Sequence, residues 1–135
     1  MDAAVGRLMT ALDGASFRSI FEGKPIPRKV PLSWYYFRSI GKPKAALVAG
    51  DWKLLGHWDG PQLGPGGSLH RGDSRLIKTS RLVEFELYNL RTDLAERNER
   101  SADEANRRRQ LSVQLQQWHR NLQAEAPDWE FPPRK

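Results

Sequence analysis

The chain reads as an α+β protein, a small antiparallel sheet of about four strands covered by a long C-terminal helix. Three observations predict this. Residues 82–90 alternate, placing Val83, Phe85 and Leu87 on one face and Glu84, Glu86 and Tyr88 on the other, the period of a half-buried antiparallel strand. Residues 45–48 and 52–58 form a second strand pair around Gly50-Asp51, where a leading glycine suits a type II′ hairpin turn. Finally, Leu111, Leu115, Trp118 and Leu122 recur along one helical stripe. Burying that stripe is worth on the order of 8 kcal/mol as an upper figure, and the sheet is the surface that can bury it.

In chain order, Val5, Leu8, Met9 and Leu12 have helical spacing, with Asp2 as cap and Gly14 as stop. Residues 1–11 are thus a short helix or what remains of a longer element. Residues 16–21 read as a further helical turn with Phe17, Ile20 and Phe21 facing inward and Gly23 ending it. Lys24-Pro25-Ile26-Pro27 is extended, since each proline bars its predecessor from the helical region. Residues 32–37, Leu-Ser-Trp-Tyr-Tyr-Phe, are aromatic on both alternating faces and read as a central strand covered on each side. In the strand that follows the hairpin turn, Trp52, Leu54 and Trp58 face one way and Lys53, Leu55 and His57 the other.

Residues 60–73 read as a loop built on Gly64-Pro65-Gly66-Gly67; loops beyond about 12 residues are usually functional or disordered. Ser101-Ala102-Asp103-Glu104 has the spacing of a capping box at the start of the long helix, and Ala126-Pro127 stops it. The 135 residues, 39% of them hydrophobic, fit one domain with a core shared between sheet and helix. Residues 132–135 are a tail.

The formal charge of +6, from 22 Lys+Arg against 16 Asp+Glu, invites a polyanion. The basic residues are nevertheless spread out, and Arg107-Arg108-Arg109 shares its helix with Asp103 and Glu104. A solvated helix face accounts for them, and the tryptophans sit apart from them in apolar stretches, which argues against nucleic acid. The absence of cysteine excludes disulfides, thiolate metal sites and a cysteine nucleophile. No run of about 18 apolar residues is present to span a membrane, and none of signal-peptide type opens the chain.

His57, His70 and His119 stand at no ligand spacing that would make a zinc site. His119 lies toward the helix end, where the helix dipole favours a protonated imidazole, a structural role. His70 sits in the glycine-rich loop, where it can reach a neighbouring surface. Gly64-Pro65-Gly66-Gly67 lacks the Lys-Ser/Thr of a phosphate loop. No serine stands in a nucleophile-elbow context. Asp93 and Glu96 fit a capped turn better than a pair of catalytic carboxylates. Residue chemistry alone gives no catalytic centre.

The order of several motifs is more specific. Leu12-Asp13-Gly14-Ala15-Ser16 with Ile20-Phe21-Glu22-Gly23-Lys24, then Pro31-Leu32-Ser33-Trp34-Tyr35-Tyr36, precede Ala45-Ala46-Leu47-Val48-Ala49-Gly50-Asp51-Trp52-Lys53-Leu54. Glu86-Leu87-Tyr88-Asn89-Leu90 follows with Asp93, Glu96 and Asn98, and Gln123-Ala124-Glu125-Ala126-Pro127-Asp128-Trp129 closes the chain. Over residues 12–131 this order resembles the C-terminal subdomain of type I sulfatases, especially bacterial enzymes of the N-acetylgalactosamine-6-sulfatase type. The hairpin is similar to the family's A-x-R-x-G-D-W-K-L and the turn to its E-L-Y-x-L-x-x-D-P-x-E-x-x-N. Two positions depart from the pattern: Val48 stands where arginine is common, and Leu94 replaces the usual proline.

The resemblance implies a parent that hydrolyses sugar or aryl sulfate esters with a formylglycine beside a calcium ion. That chemistry needs a hydrated aldehyde as nucleophile and a hard cation with oxygen ligands. The nucleophile motif, C-x-P-S-R or S-x-P-S-R, occurs nowhere in this chain, and Asp73-Ser74-Arg75 is not that motif. No catalytic or metal-binding residue can therefore be carried over, and calcium is expected in the parent's catalytic domain. The implied role is non-catalytic: packing on the catalytic domain, or self-association through the surface that domain would cover, and walling the substrate cleft. Tyr36, Arg38, His70 and Arg71 are the substrate-side residues by this resemblance. The alternative is a stand-alone basic module that binds anionic or sulfated glycans.

Overall fold

The computed structural model describes residues 15–16, 18–26, 28–37, 42–62 and 73–126. The expected helix over residues 1–12, Phe17 and the glycine-rich stretch at 64–67 lie outside the described residues. The chain divides into two compact units, Met1–Pro31 and Leu32–Lys135.

In the first unit, α1 is the single turn Arg18–Phe21. Gly23 ends it at φ +66°, a left-handed conformation that costs glycine little. Its N–H bonds Ile20 O at 2.9 Å, and Lys24 N–H bonds Ser19 O at 2.9 Å. The inward packing expected here is not found: Ile20 is 52% exposed and Phe21 89% exposed. The turn is held by its backbone caps and not by burial.

The second unit is an α+β layer pair. Strands β1 (Leu32–Tyr36), β2 (Lys44–Ala49), β3 (Trp52–Trp58) and β4 (Leu82–Asn89) form one antiparallel sheet in the order β1-β2-β3-β4. The hairpin between β2 and β3 is the one the sequence predicts. Ala49 pairs with Trp52, and Gly50 alone of the turn pair has a positive φ, +59°, as a type II′ turn requires.

Three expectations are corrected. First, β1 lies at the edge of the sheet and not in its centre. Its aromatic residues do alternate, with Tyr35 packed on the core, but Leu32 and Tyr36 are 46% and 55% exposed. Second, the loop read over residues 60–73 gives way at Asp73 to an unexpected helix, α2 (Asp73–Thr79). Third, Val83 faces outward, 51% exposed, and Leu82 takes the buried place. The cause is a bulge: His57 pairs with Glu84 and Trp58 with Leu82, leaving Val83 without a partner. One extra residue on β4 shifts the alternation by one position there.

Helix α3 (Ala105–Glu125) covers one sheet face, packing on β2, β3, β4 and α2. Leu111 and Leu115 are buried with Leu47, Leu54, Trp58 and Leu87, and Trp118 packs against that cluster. Gly56 makes the close approach possible: a Cβ there would stand 3.2 Å from Leu115 Cδ2 and 3.1 Å from Phe85 Cε1. The last residue of the stripe, Leu122, remains 36% exposed.

The capping box does not form. Glu104 occupies the N-cap with no side-chain cap bond, and the Ser101 hydroxyl donates instead to Phe85 O at 3.1 Å. Neighbouring bonds do the same work for β4. Arg100 N–H bonds Leu87 O at 2.8 Å, and Leu87 N–H bonds Glu99 Oε1 at 2.9 Å. The middle of β4's outer edge is thereby closed, as edge strands commonly are. At the other end of α3, Ala126 is extended at ψ 132°, the conformation that the following proline imposes.

Candidate functional site

Side chains directly opposite in antiparallel strands share a face, so the register defines the face turned away from α3. One row crosses the sheet as Tyr36, Lys44, His57 and Glu84, and the next as Trp34, Ala46, Leu55 and Glu86. Leu32, Val48, Lys53 and Tyr88 form the third row. The β1 side of this face is apolar and aromatic, and the β4 side is charged.

Two polar clusters organise the charged side. His57 Nε2 lies 2.8 Å from Glu86 Oε1, and the Tyr88 hydroxyl donates to Glu86 Oε2 at 2.7 Å. Burial alone would raise the Glu86 pKa, but the bonds from Tyr88 and His57, with the charges of His57 and Lys44, bring it below the ordinary carboxylate value. The Tyr88 phenol is pushed well up, by burial first and then by its bond to Glu86, so it remains protonated and its proton is committed to the carboxylate.

The second cluster ties the two sequence motifs together. Lys53, of the Gly-Asp-Trp-Lys-Leu hairpin, donates to both carboxylate oxygens of Glu96 at 2.6 and 2.7 Å and lies 5.8 Å from the Trp34 ring centroid. Glu96 is the one described non-glycine residue with positive φ, +53°. Asp93 Oδ2 accepts from Asn98 N–H at 2.7 Å and from Asn98 Nδ2 at 3.3 Å. Leu90 N–H bonds Asp51 O at 2.7 Å. Asp93 and Glu96 thus shape and anchor a turn, as their spacing suggests, and the hairpin and turn form one hydrogen-bonded unit.

On the α3 side, a groove of about 420 Å³ lies between β1, α2 and the last turns of α3. Tyr35, Phe37, Ile77, Leu122 and Ala126 give it an apolar lining, with Lys78 and Glu125 also on its wall. His119 stands at its base, only 3% exposed and stacked on Tyr35 with ring centroids 5.3 Å apart. Burial depresses the His119 pKa, the Ser80 carbonyl opposing that shift and the Arg120 charge adding to it. The imidazole is therefore neutral, which corrects the expectation of a protonated ring at the helix end: α3 continues six residues beyond it to Glu125.

Ser80 and His119 are adjacent but do not make a nucleophile and its base. His119 Nε2 lies 3.1 Å from Ser80 O, an acceptor only, so this nitrogen carries the proton. The Ser80 hydroxyl sits 3.4 Å from the same nitrogen and donates to Ile77 O at 2.9 Å. No carboxylate orients the ring from its other side, because Nδ1 is buried without a partner. The Tyr35 hydroxyl is likewise buried and unpartnered. Burial raises its pKa, and the Ser80 hydroxyl opposes that rise.

Of the residues singled out from sequence, Tyr36 stands exposed at the end of β1, opposite Lys44. Arg38, His70 and Arg71 lie outside the described residues. Arg107, Arg108 and Arg109 are exposed on α3; Arg107 pairs with Glu104 at 3.5 Å and lies 4.6 Å from the Trp52 ring centroid. Among the described residues, no three His, Asp or Glu side chains are grouped to hold a metal ion, and no helix is long and apolar enough to cross a membrane. Sequence reading missed the groove and the His57–Glu86–Tyr88 cluster. Each joins elements whose neighbours only the strand register and α2 reveal. No protein-family model matches the chain, and no curated protein matches it.

Proposed function

We propose that this chain is the non-catalytic C-terminal part of a sulfatase of sugar or aryl sulfates, a domain that packs on a catalytic domain and walls its substrate cleft. The observation that carries the reading is the Lys53–Glu96 pair with its flanking bonds. The two motifs that most resemble the family are the two segments it joins, so their residues have a shared structural reason to occur together. The antiparallel sheet under a C-terminal helix is compatible with that subdomain. The face turned from α3, apolar along β1 and charged along β4, is the surface that a catalytic domain would cover.

A second reading is a stand-alone module for anionic or sulfated glycans. It is favoured by the placement of exposed Tyr36 directly opposite Lys44, an aromatic surface for a sugar ring beside a cation for its sulfate.

One preparation tests both. With calcium and a chromogenic aryl sulfate, the chain alone is expected to show no turnover, and turnover above the blank overturns the non-catalytic assignment. A reading frame directly upstream that encodes C-x-P-S-R or S-x-P-S-R supports the sulfatase parent; its absence removes it. On a heparin column, retention abolished by Tyr36→Ala supports the glycan module. Retention indifferent to Tyr36→Ala, His70→Ala and Arg71→Ala, and lost at modest salt, reduces it to nonspecific charge.

A further inference from the structure

A second pocket, of about 460 Å³, opens between the β2–β3 hairpin, the turn that follows β4 and the start of α3, a volume in the small-molecule range. Its wall is mixed: the Trp52 indole supplies an apolar surface, and Asn89, Thr92, Asp93 and Asn98 supply polar ones. Three of these side chains spend one end on the turn itself. Asn89 Oδ1 accepts from Arg91 N–H at 3.1 Å, and Asp93 Oδ2 accepts from both the backbone N–H and Nδ2 of Asn98. The ends left over are Asn89 Nδ2, Asp93 Oδ1 and Asn98 Oδ1, to which Thr92 adds a hydroxyl: a donor pair, two acceptors and a group that does both. Thr92 and Asn98 are exposed, and Asn89 and Asp93 half-buried, so a ligand reaches them by replacing water. The turn is already fixed by the Lys53–Glu96 pair and by the bond of Leu90 N–H to Asp51 O, so little ordering is left for binding to pay.

We propose that this pocket binds one neutral sugar ring, a pyranose, its hydroxyls on Asn89, Thr92, Asp93 and Asn98 and its C–H groups against Trp52. The other charged residues of the wall are already engaged, Arg100 Nη2 lying 3.3 Å from Asp103 Oδ2 and Glu104 Oε2 3.5 Å from Arg107 Nε. An anion would meet the Asp93 and Glu104 carboxylates with no cation on the wall left to hold it. A metal ion lacks its ligands, since among the described residues no three His, Asp or Glu side chains are grouped. A hydrocarbon would strip water from four polar side chains and return nothing. A planar base needs an open ring face, and Arg107 lies over that of Trp52, 4.6 Å from the centroid; sugar C–H groups need only van der Waals contact with the indole. A pyranose fits what remains, an uncharged ring dense in hydroxyls that both donate and accept. The site is independent of both readings above: it takes no sulfate and shares no residue with the Tyr36–Lys44 surface.

The test is a titration of the full chain with the methyl pyranosides of glucose, galactose, mannose and N-acetylglucosamine in turn. It is followed through the side-chain amide signals of Asn89 and Asn98 and the indole N–H of Trp52. Saturable binding of at least one sugar is expected to move these signals and to leave those of Phe37 and Ile77, at the apolar groove, unchanged. Thr92→Val removes one hydroxyl, and Asn89→Asp keeps the acceptor for Arg91 N–H while losing the donor. Each is expected to weaken that sugar about tenfold, the value of one hydrogen bond, with the backbone amide spectrum otherwise preserved; should one variant fold poorly, the other decides. No saturation by any of the four up to about 50 mM, where a millimolar site would be filled, overturns the proposal. Indifference to both substitutions overturns it too, as does tighter binding of adenosine or of inorganic sulfate at the same signals.

Discussion

Desolvation makes the protonated form of His119 costly, and this ties stability to pH in a definite direction. Its pKa in the folded chain is lower than in the unfolded chain. Above about pH 6.5, the ordinary histidine value, the ring is neutral in both states and its contribution is complete. As pH falls through that value, the unfolded chain takes up a proton that the folded chain refuses, and stability is lost. The melting temperature is therefore expected to fall between about pH 7.5 and about pH 5.5, and to fall less steeply in His119→Phe. Equal slopes in the two proteins would remove the buried neutral imidazole. Glu86 and Glu99, whose pKa values lie below the ordinary carboxylate value, act in the same direction only at lower pH, so the windows are separable. Nothing local in the sequence announces this role. A histidine beside Trp118 in a polar helix looks like a surface residue until Ser80 and Tyr35, far away in the chain, are brought against it.

Among the elements, α3 is the one that holds the sheet, and Gly56 sets how closely it can approach. Leu115→Ala is expected to cost about 2–5 kcal/mol, because the cavity opens in the buried core against Gly56. Val113→Ala, at a position 61% exposed, should change stability by no more than about 0.5 kcal/mol. Chemical denaturation of the two variants measures the contrast, and similar values would mean that the helix does not hold the sheet through this stripe. This helix and the β2–β3 hairpin were legible beforehand, since Leu111, Leu115 and Trp118 keep the helical period and Gly50-Asp51 marks the turn. The bulge at Val83 was not legible, because alternation along β4 is continuous in sequence and is interrupted only by its pairing with β3. The edge position of β1 was hidden for a related reason: aromatic residues on both faces suit a covered strand and a strand awaiting a partner equally well. Helix α2 lacks the length to show a period. The candidate site was the least legible part, with Tyr36 alone found at a described position and the groove found only through packing.

At the scale of the molecule, the two outer margins of the sheet differ. The β4 margin is closed at Phe85 and Leu87 by Glu99, Arg100 and Ser101. Among the described residues β1 pairs only with β2, which makes its other side the margin where a second copy would add. Sedimentation equilibrium at rising concentration is expected to show monomer and dimer and nothing heavier. A distribution that keeps climbing past two copies would mean that the β4 margin is not sealed. A ribbon able to accept a neighbour on one flank but not the other has no way to propagate. Twofold pairing through β1 consumes both receptive flanks at once, so the bonds around Ser101 act as a stopper that keeps a sticky strand from seeding fibres.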